Sequence, residues 1–355
     1  MKKIFALVLA LCMIFALCAC GQEEVTQAAQ DAAAAVADNA AEIAEAVTEV
    51  EASVAESEGK TYTIGICQLV QHNALDAASQ GFMDTIQAEL GDAVTFDYQN
   101  AQGDSTTCST IVTGFVANGY DLIMANATPA LQAAVAATTE IPILGTSVTD
   151  YGAALSMDDL DVNAGTGINV SGASDGVDAQ LYVDLTLELV PEAKKVSIIY
   201  CSAEANSVLQ SDNFVAAMAA TNPDVECTVY TFADSNDMQA VVTSAVADCD
   251  ALYIPTDNTA ASNMTIVSNI CQPAGVPVIC GEENMCAAGG LATVSISYYD
   301  IGALAGQQAL QILLEGADVA TTPIAYSSNP VKEYNAAYAE AIGMTMTDDF
   351  VAIEG

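Results

Sequence analysis

The sequence contains no arginine and no tryptophan, a single histidine (His72), and six lysines against 46 acidic residues. Without guanidinium groups, an anionic ligand group has to be held by backbone N–H groups, hydroxyls, helix N-termini or the few lysines. The formal charge of −40 repels phosphate backbones and anionic lipid headgroups, which argues against nucleic acid as a partner. One histidine and no C-x-x-C spacing leave a zinc or haem site almost without ligands, so neither metal nor cofactor is expected. The G-x-S-x-G pattern at Gly172–Gly176 lacks the histidine base that a nucleophilic serine needs after it, since His72 lies 102 residues before Ser174. No catalytic residue is therefore assigned.

The chain begins with a positive segment, Lys2 and Lys3, followed by an apolar run over residues 4–17 that is shorter than the roughly 20 residues of a spanning helix. This is the pattern of an export signal. Leu17-Cys18-Ala19-Cys20 resembles the lipobox of bacterial lipoproteins, so residues 1–20 are read as a signal peptide ending at a lipidated Cys20. Residues 21–59, rich in Ala, Glu, Val and Asp and without proline or aromatics, form an acidic tether. The rest of the protein is thus expected on the extracytoplasmic face of the cell membrane, held through the N-terminal lipid. Eight cysteines follow Cys20; Cys67, Cys201 and Cys280 sit in or at the end of apolar runs, where a free thiol behaves as a small hydrophobe, and most are expected to be unpaired.

From residue 60 onward, continuous apolar runs alternate with segments of helical period, as in parallel sheets buried on both faces. The first half reads TYTIGICQLV, VTFDYQNA, DLIMANAT and IPILGTSV, with helices between; the second reads KKVSIIYCSA, VECTVYTFA, DALYIPTDNT and VPVICGEEN in the same order. Corresponding points keep a nearly constant offset: Ile64 to Ser197 is 133 residues, Asp121 to Asp250 is 129, and Pro142 to Pro277 is 135. The expected fold class is α/β, with two Rossmann-like lobes whose parallel sheets are joined by hinge strands. An open parallel sheet binds ligands beyond the carboxyl ends of its strands, and here every apolar run ends in hydrogen-bonding side chains.

The segments IGICQLVQHNALDAASQGF, YDLIMANATPALQAAVAAT, IPILGTSVTD, NVSGASD, YCSAEANS, YIPTDNTAASN and SYYDIGALAGQQA resemble the substrate-binding lipoproteins of ABC importers with a type I periplasmic-binding-protein fold, specifically the tryptophan/tyrosine-binding group. The resemblance covers residues 61 to about 335. It implies a non-enzymatic receptor that closes two lobes on a small ligand and delivers it to an ABC permease and its ATPase, and it alone suggests an aromatic amino acid. The lobes are expected to comprise residues 60–149 plus 294–322 and residues 150–293 plus 323–355. Hinge strands are placed near 148–152, 293–299 and 320–326.

Candidate ligand-binding residues stand at the strand ends. Asn126 and Thr128 open a helix whose N–H groups could take a carboxylate, although Thr128 could equally serve only as its N-cap. Asp257 and Asn258 suit an ammonium group, or a cap. Glu204 and Asn206 occupy the equivalent tip of the preceding unit, with Ser207 as a candidate cap. Ser147, Asp150, Ser174 and Asp175 lie near the first crossing, where about half would be turn residues. Gln68 and His72 follow the first strand and could contact an aromatic ring, while His72 also fits a surface loop. Tyr253 reads as core. Two alternatives stay open: a receptor for a sugar, nucleoside or other neutral polar solute, and an α/β enzyme using cysteine chemistry. A signalling receptor without transport is not separable from these on the chain alone.

Overall fold

The computed structural model describes residues 60–327 and 330–353; the signal segment, Cys20 and the 21–59 tether lie outside the described residues. The first half of the chain runs β1 (Tyr62–Gln68), α1 (Asn73–Leu90), β2 (Val94–Asn100), α2 (Ser105–Ala117), β3 (Leu122–Asn126), α3 (Thr128–Ala137), β4 (Ile143–Thr146), α4 (Tyr151–Leu155) and β5 (Val170–Ser174). The second half runs α5 (Ala179–Leu189), β6 (Lys195–Cys201), α6 (Ala205–Thr221), β7 (Glu226–Phe232), α7 (Ser235–Val246), β8 (Ala251–Ile254), α8 (Asn258–Ala261), α9 (Met264–Ala274), β9 (Val278–Cys280), α10 (Glu283–Gly289) and β10 (Ala292–Ser295). The tail adds α11 (Tyr298–Glu315), β11 (Ala325–Tyr326), β12 (Val331–Tyr334), α12 (Ala336–Ile342) and β13 (Val351–Ala352).

These strands build two sheets. The first is fully parallel, in the order β11-β5-β4-β3-β1-β2, and the second has the order β13-β12-β10-β9-β8-β6-β7, with β12 antiparallel to β10. Inner strands are buried along their whole length, as β3 and β8 show, because helices cover both faces. The edge strands β2 and β7 are mostly exposed or half-buried, with one buried residue each.

The internal repeat has a hydrogen-bonding basis. Asp121 accepts from the Thr63 N–H at 2.8 Å, and its counterpart Asp250 accepts from Lys194 and Lys195 N–H at 2.7 and 2.9 Å. Two residues on, Ile123 N–H donates to the Pro142 carbonyl and Leu252 N–H to the Pro277 carbonyl, each at 2.9 Å. Each aspartate thus ties the start of a central strand to its neighbour, and each proline carbonyl fixes the next register.

The tail returns to the first lobe before finishing in the second. Helix α11 lies along α1, and the two backbones approach so closely that a Cβ on Gly81 would stand 2.0 Å from the Tyr299 carbonyl oxygen, and one on Gly302 1.9 Å from that of Ala78. Strand β11 then joins β5 in the first sheet, and β12 and β13 complete the second.

The chain therefore passes between lobes after β5, after β10 and after β11. The second passage falls where a hinge strand was expected, at 293–299; the third comes only after β11, beyond the expected 320–326. The first also departs from expectation: residues 148–152 stay in the first lobe and the passage comes at residues 175–178, because β5 pairs with β4. For the same reason β11, expected with the second lobe from residue 323, belongs to the first. All eight described cysteines are free thiols; six are buried, Cys67, Cys201 and Cys280 among them.

Candidate ligand-binding cleft

The carboxyl ends of both sheets face one cleft. Its inner part is lined from the first lobe by His72, Leu75, Ser147, Asp175 and Tyr298, and from the second by Asn206, Thr256, Asp257, Asn258, Ala261, Glu282 and Met285. A wider outer part of about 250 Å³ opens beside it past Asn258, between the tips of β1, β6 and β7. The lobes are in contact. His72 Nε2 lies 3.2 Å from Asn258 Oδ1, Thr149 Oγ1 lies 3.4 Å from Thr256 Oγ1, and Gln210 Nε2 bridges the two threonines, 3.1 Å from the former.

Four buried polar atoms with no protein partner line the inner cleft: His72 Nδ1, Ser147 Oγ, Asp175 Oδ1 and Asn206 Oδ1. Asp175, Asn206 and Ser147 are only 6%, 5% and 7% exposed. An unpaired buried polar atom costs about 1–3 kcal/mol, so four lining residues with such atoms make this space the candidate site for a polar ligand. Ser147 also has a left-handed backbone, φ 53°, which a non-glycine residue adopts at a cost and which recurs at ligand sites.

Three carboxyl side chains border the same space, Asp175, Asp257 and Glu282, and among the described residues no lysine lines either part of the cleft. Burial pushes the Glu282 carboxyl up to about 7, against the pull of the Asn284 and Met285 N–H groups it accepts from at 2.6 and 2.5 Å. Burial, then the neighbouring Glu204 carboxylate, pushes Asp257 up to about 8 although it accepts from Cys201 and Ala260 N–H. Burial likewise raises Asp175, whose Oδ2 accepts from the Tyr298 hydroxyl at 2.7 Å. The His72 ring, the nearest potential cation, is driven toward its neutral form by burial.

The thirteen residues picked from the sequence divide into two sets. His72, Ser147, Asp175, Asn206, Asp257 and Asn258 meet around the inner cleft. Glu204 borders only the outer part, and its oxygens are committed: Oε2 accepts from Asn258 N–H at 2.9 Å and Asn258 Nδ2 at 2.6 Å, Oε1 from Thr259 N–H at 2.9 Å and Thr259 Oγ1 at 2.8 Å. It caps α8 from a neighbouring strand tip. Ser207 is not the cap of α6, since Glu204 holds that position; Ser207 is fully buried inside the first turn.

Thr128 is not an N-cap either. Ala127 takes that place with φ 93°, because its N–H remains bonded to the Thr146 carbonyl, and Thr128 becomes the first buried residue of α3, bordering neither part of the cleft. Gln68 and Asn126 are turned inward: Gln68 Oε1 accepts from Ser79 Oγ at 2.7 Å and Asn126 Nδ2 at 3.2 Å, while Gln68 Nε2 donates to Asp76 at 2.7 Å. Asp150 caps α4 through the Ala153 N–H, and Ser174 closes the turn at the first passage, donating to the Thr149 carbonyl and accepting from Gly176 N–H.

Thr256, Glu282 and Tyr298 were not among the residues chosen. The first two stand in polar strand tails, so the signal was there; Tyr298 looked like part of an ordinary helix start. Tyr253 lies in the core, stacked on Phe214 with centroids 4.2 Å apart. The Cys201 and Cys280 thiols are pushed up by burial, the opposite of an activated nucleophile.

Residues 63–353 match the family model of ABC transporter substrate binding proteins. The chain is 39% identical over 273 residues to a tyrosine-binding protein of Clostridioides difficile strain R20291, covering 75% of this chain and 76% of the relative. It superposes on an ABC domain from Streptococcus pneumonia in complex with L-Trp with a TM-score of 0.76 at 32% identity, over 81% of this chain and 97% of that one. Against a ligand-free, open substrate binding protein with adhesive properties from Clostridium difficile, the TM-score is 0.62 at 35% identity, over 83% of this chain and 99% of that one.

Proposed function

The chain belongs to the family of ABC transporter substrate-binding proteins, and on that premise we propose that its inner cleft closes on an aromatic amino acid for delivery to a permease. The observation that carries this reading is the ring of unpartnered polar atoms, with Asp175 Oδ1 and Asn206 Oδ1 as acceptors for the ammonium group and the Ser147 hydroxyl as a donor for the carboxylate. Leu75, Ala261 and Met285 supply apolar and polarisable surface for the side chain, Met285 through a thioether suited to aromatic edges. The tyrosine-binding relative and the tryptophan complex support the aromatic class.

Binding and closure are one event in this scheme. The His72–Asn258 and Thr149–Thr256 contacts form only when the lobes meet, so a ligand that contributes contacts to both lobes shifts the equilibrium toward the closed form. Lipidation at Cys20, with residues 21–59 as the tether, would hold the receptor at the membrane beside its permease. A thermal-shift panel of amino acids, sugars and nucleosides tests the ligand class. Melting temperatures are expected to rise with aromatic amino acids; a rise with sugars or nucleosides alone would overturn the reading.

A further inference from the structure

Gln210 lines neither part of the ligand cleft, yet its side chain joins the two lobes. It is buried on α6 of the second lobe, where Oε1 accepts from the Thr256 N–H at 3.2 Å. A backbone N–H can only donate, so this bond fixes which end of the amide carries the oxygen. Nε2 then directs its two hydrogens at two hydroxyls, Thr256 Oγ1 in its own lobe and Thr149 Oγ1 at 3.1 Å in the other.

Both ends of this clasp are tied down. The Thr149 carbonyl accepts from Ser174 Oγ at 3.0 Å, at the end of β5 where the chain leaves the first lobe. The Thr256 carbonyl accepts from Asn206 Nδ2 at 2.7 Å, and Thr256 and Asn206 both line the inner cleft. On the hinge side, a cavity of about 110 Å³ is lined by Thr149, Gln210 and the passage residues Gly176 and Val177. The clasp therefore stands between hinge and ligand, whereas the His72–Asn258 bridge stands toward the mouth, Asn258 bordering both parts of the cleft. Opening the lobes breaks the contacts that converge on Thr149 Oγ1, from Gln210 and from Thr256, and leaves the bonds within each lobe whole.

We propose that Gln210 is a positioning residue for closure: held by the Thr256 backbone, it presents a preset latch to Thr149 and stabilises the closed form by the same amount whatever ligand the cleft holds. It sets how firmly the receptor grips, not which ligand it prefers. This rests on the closure scheme above, and it adds to that scheme a residue that acts without touching the ligand.

Calorimetry and stopped-flow kinetics with L-tyrosine and L-tryptophan, on the full chain and on Gln210→Met, Thr149→Val, Thr149→Ser and the Gln210→Met/Thr149→Val pair, test it. Gln210→Met is expected to weaken both amino acids by one common factor of about 3- to 10-fold, the size of a neutral hydrogen bond, and to do so through faster dissociation. Thr149→Val should weaken them at least as much, because its hydroxyl also favours the ionised Asp175 carboxyl, and Thr149→Ser should restore the parent affinity. The double variant is expected to bind no more weakly than Thr149→Val alone, since both residues serve one bond; a merely structural role for Gln210 would make the losses add. Unchanged affinity in Gln210→Met, additive losses, or losses that differ by more than about 5-fold between tyrosine and tryptophan would overturn the proposal and leave the receptor reading intact. Failure of both amino acids to bind the parent would overturn the aromatic reading alone; the same variants titrated with the sugar or nucleoside that raises the parent's melting temperature then test the latch against the same factors. A parent that binds none of them would overturn both.

Discussion

The Tyr298 hydroxyl donates to Asp175 Oδ2 at 2.7 Å, and the two residues stand at the first and second passages of the chain between lobes. The bond joins two passages of the hinge, and the other oxygen of Asp175, Oδ1, is buried without a protein partner in a residue that lines the cleft. One pair of side chains 123 residues apart in sequence thus ties the hinge to a residue of the proposed ligand site.

Tyr298→Phe keeps the buried ring and removes the donor. Leaving a buried carboxylate short of a partner is expected to lower stability by about 1–3 kcal/mol, read as a lower urea midpoint at an unchanged slope. Ligand affinity should fall with it, since Asp175 is no longer held in one rotamer. An unchanged midpoint would show that the bond does not order the hinge.

Glu204→Gln separates a structural carboxylate from a ligand-binding one. Glutamine cannot reproduce four accepted hydrogen bonds, because its amide nitrogen would face backbone N–H donors. The expected cost is about 2–4 kcal/mol, while ligand affinity of the folded variant should stay within a few-fold of the parent. Wild-type stability combined with lost binding would instead place Glu204 in direct contact with the ligand.

Proton linkage follows from the raised carboxyls. Glu282 at about 7 and Asp257 at about 8 lie well above the roughly 4 of an unfolded carboxyl. Their stabilising contribution to the ligand-free protein is full below that unfolded value and is lost as pH rises through 7 to 8. A bound ammonium favours their ionised forms, so binding should release protons and strengthen as pH rises through the same window. Calorimetry in buffers of different ionisation enthalpy measures the release directly; proton uptake, or none across this range, would contradict it.

Much of this was legible in the sequence because the governing interactions are local or repeated. The offset between Asp121 and Asp250, and between Pro142 and Pro277, reflects backbone bonds that each lobe makes in the same register. Helix caps such as Asp257 are readable for the same reason. Residue 150 looked like a crossing because a strand ended in polar residues before it, but nothing local says that NVSGASD pairs back onto β4. Glu204 caps a helix 54 residues away, Tyr298 reaches Asp175 across the hinge, and the left-handed turn at Ser147 is imposed by its surroundings. Such placements follow from the assembled lobes, which is why Glu204 resembled a ligand residue and Tyr298 did not.

The most direct measurement is a calorimetric titration of Asp175→Asn beside the unaltered chain, with L-tyrosine and L-tryptophan as ligands. Asparagine preserves size and an oxygen for Tyr298 but removes the charge facing the cleft, so affinity should fall by about 100-fold or more with the fold intact by circular dichroism. Equal affinity in the two proteins would mean that the ammonium group is not held at Asp175, and that the ligand sits elsewhere.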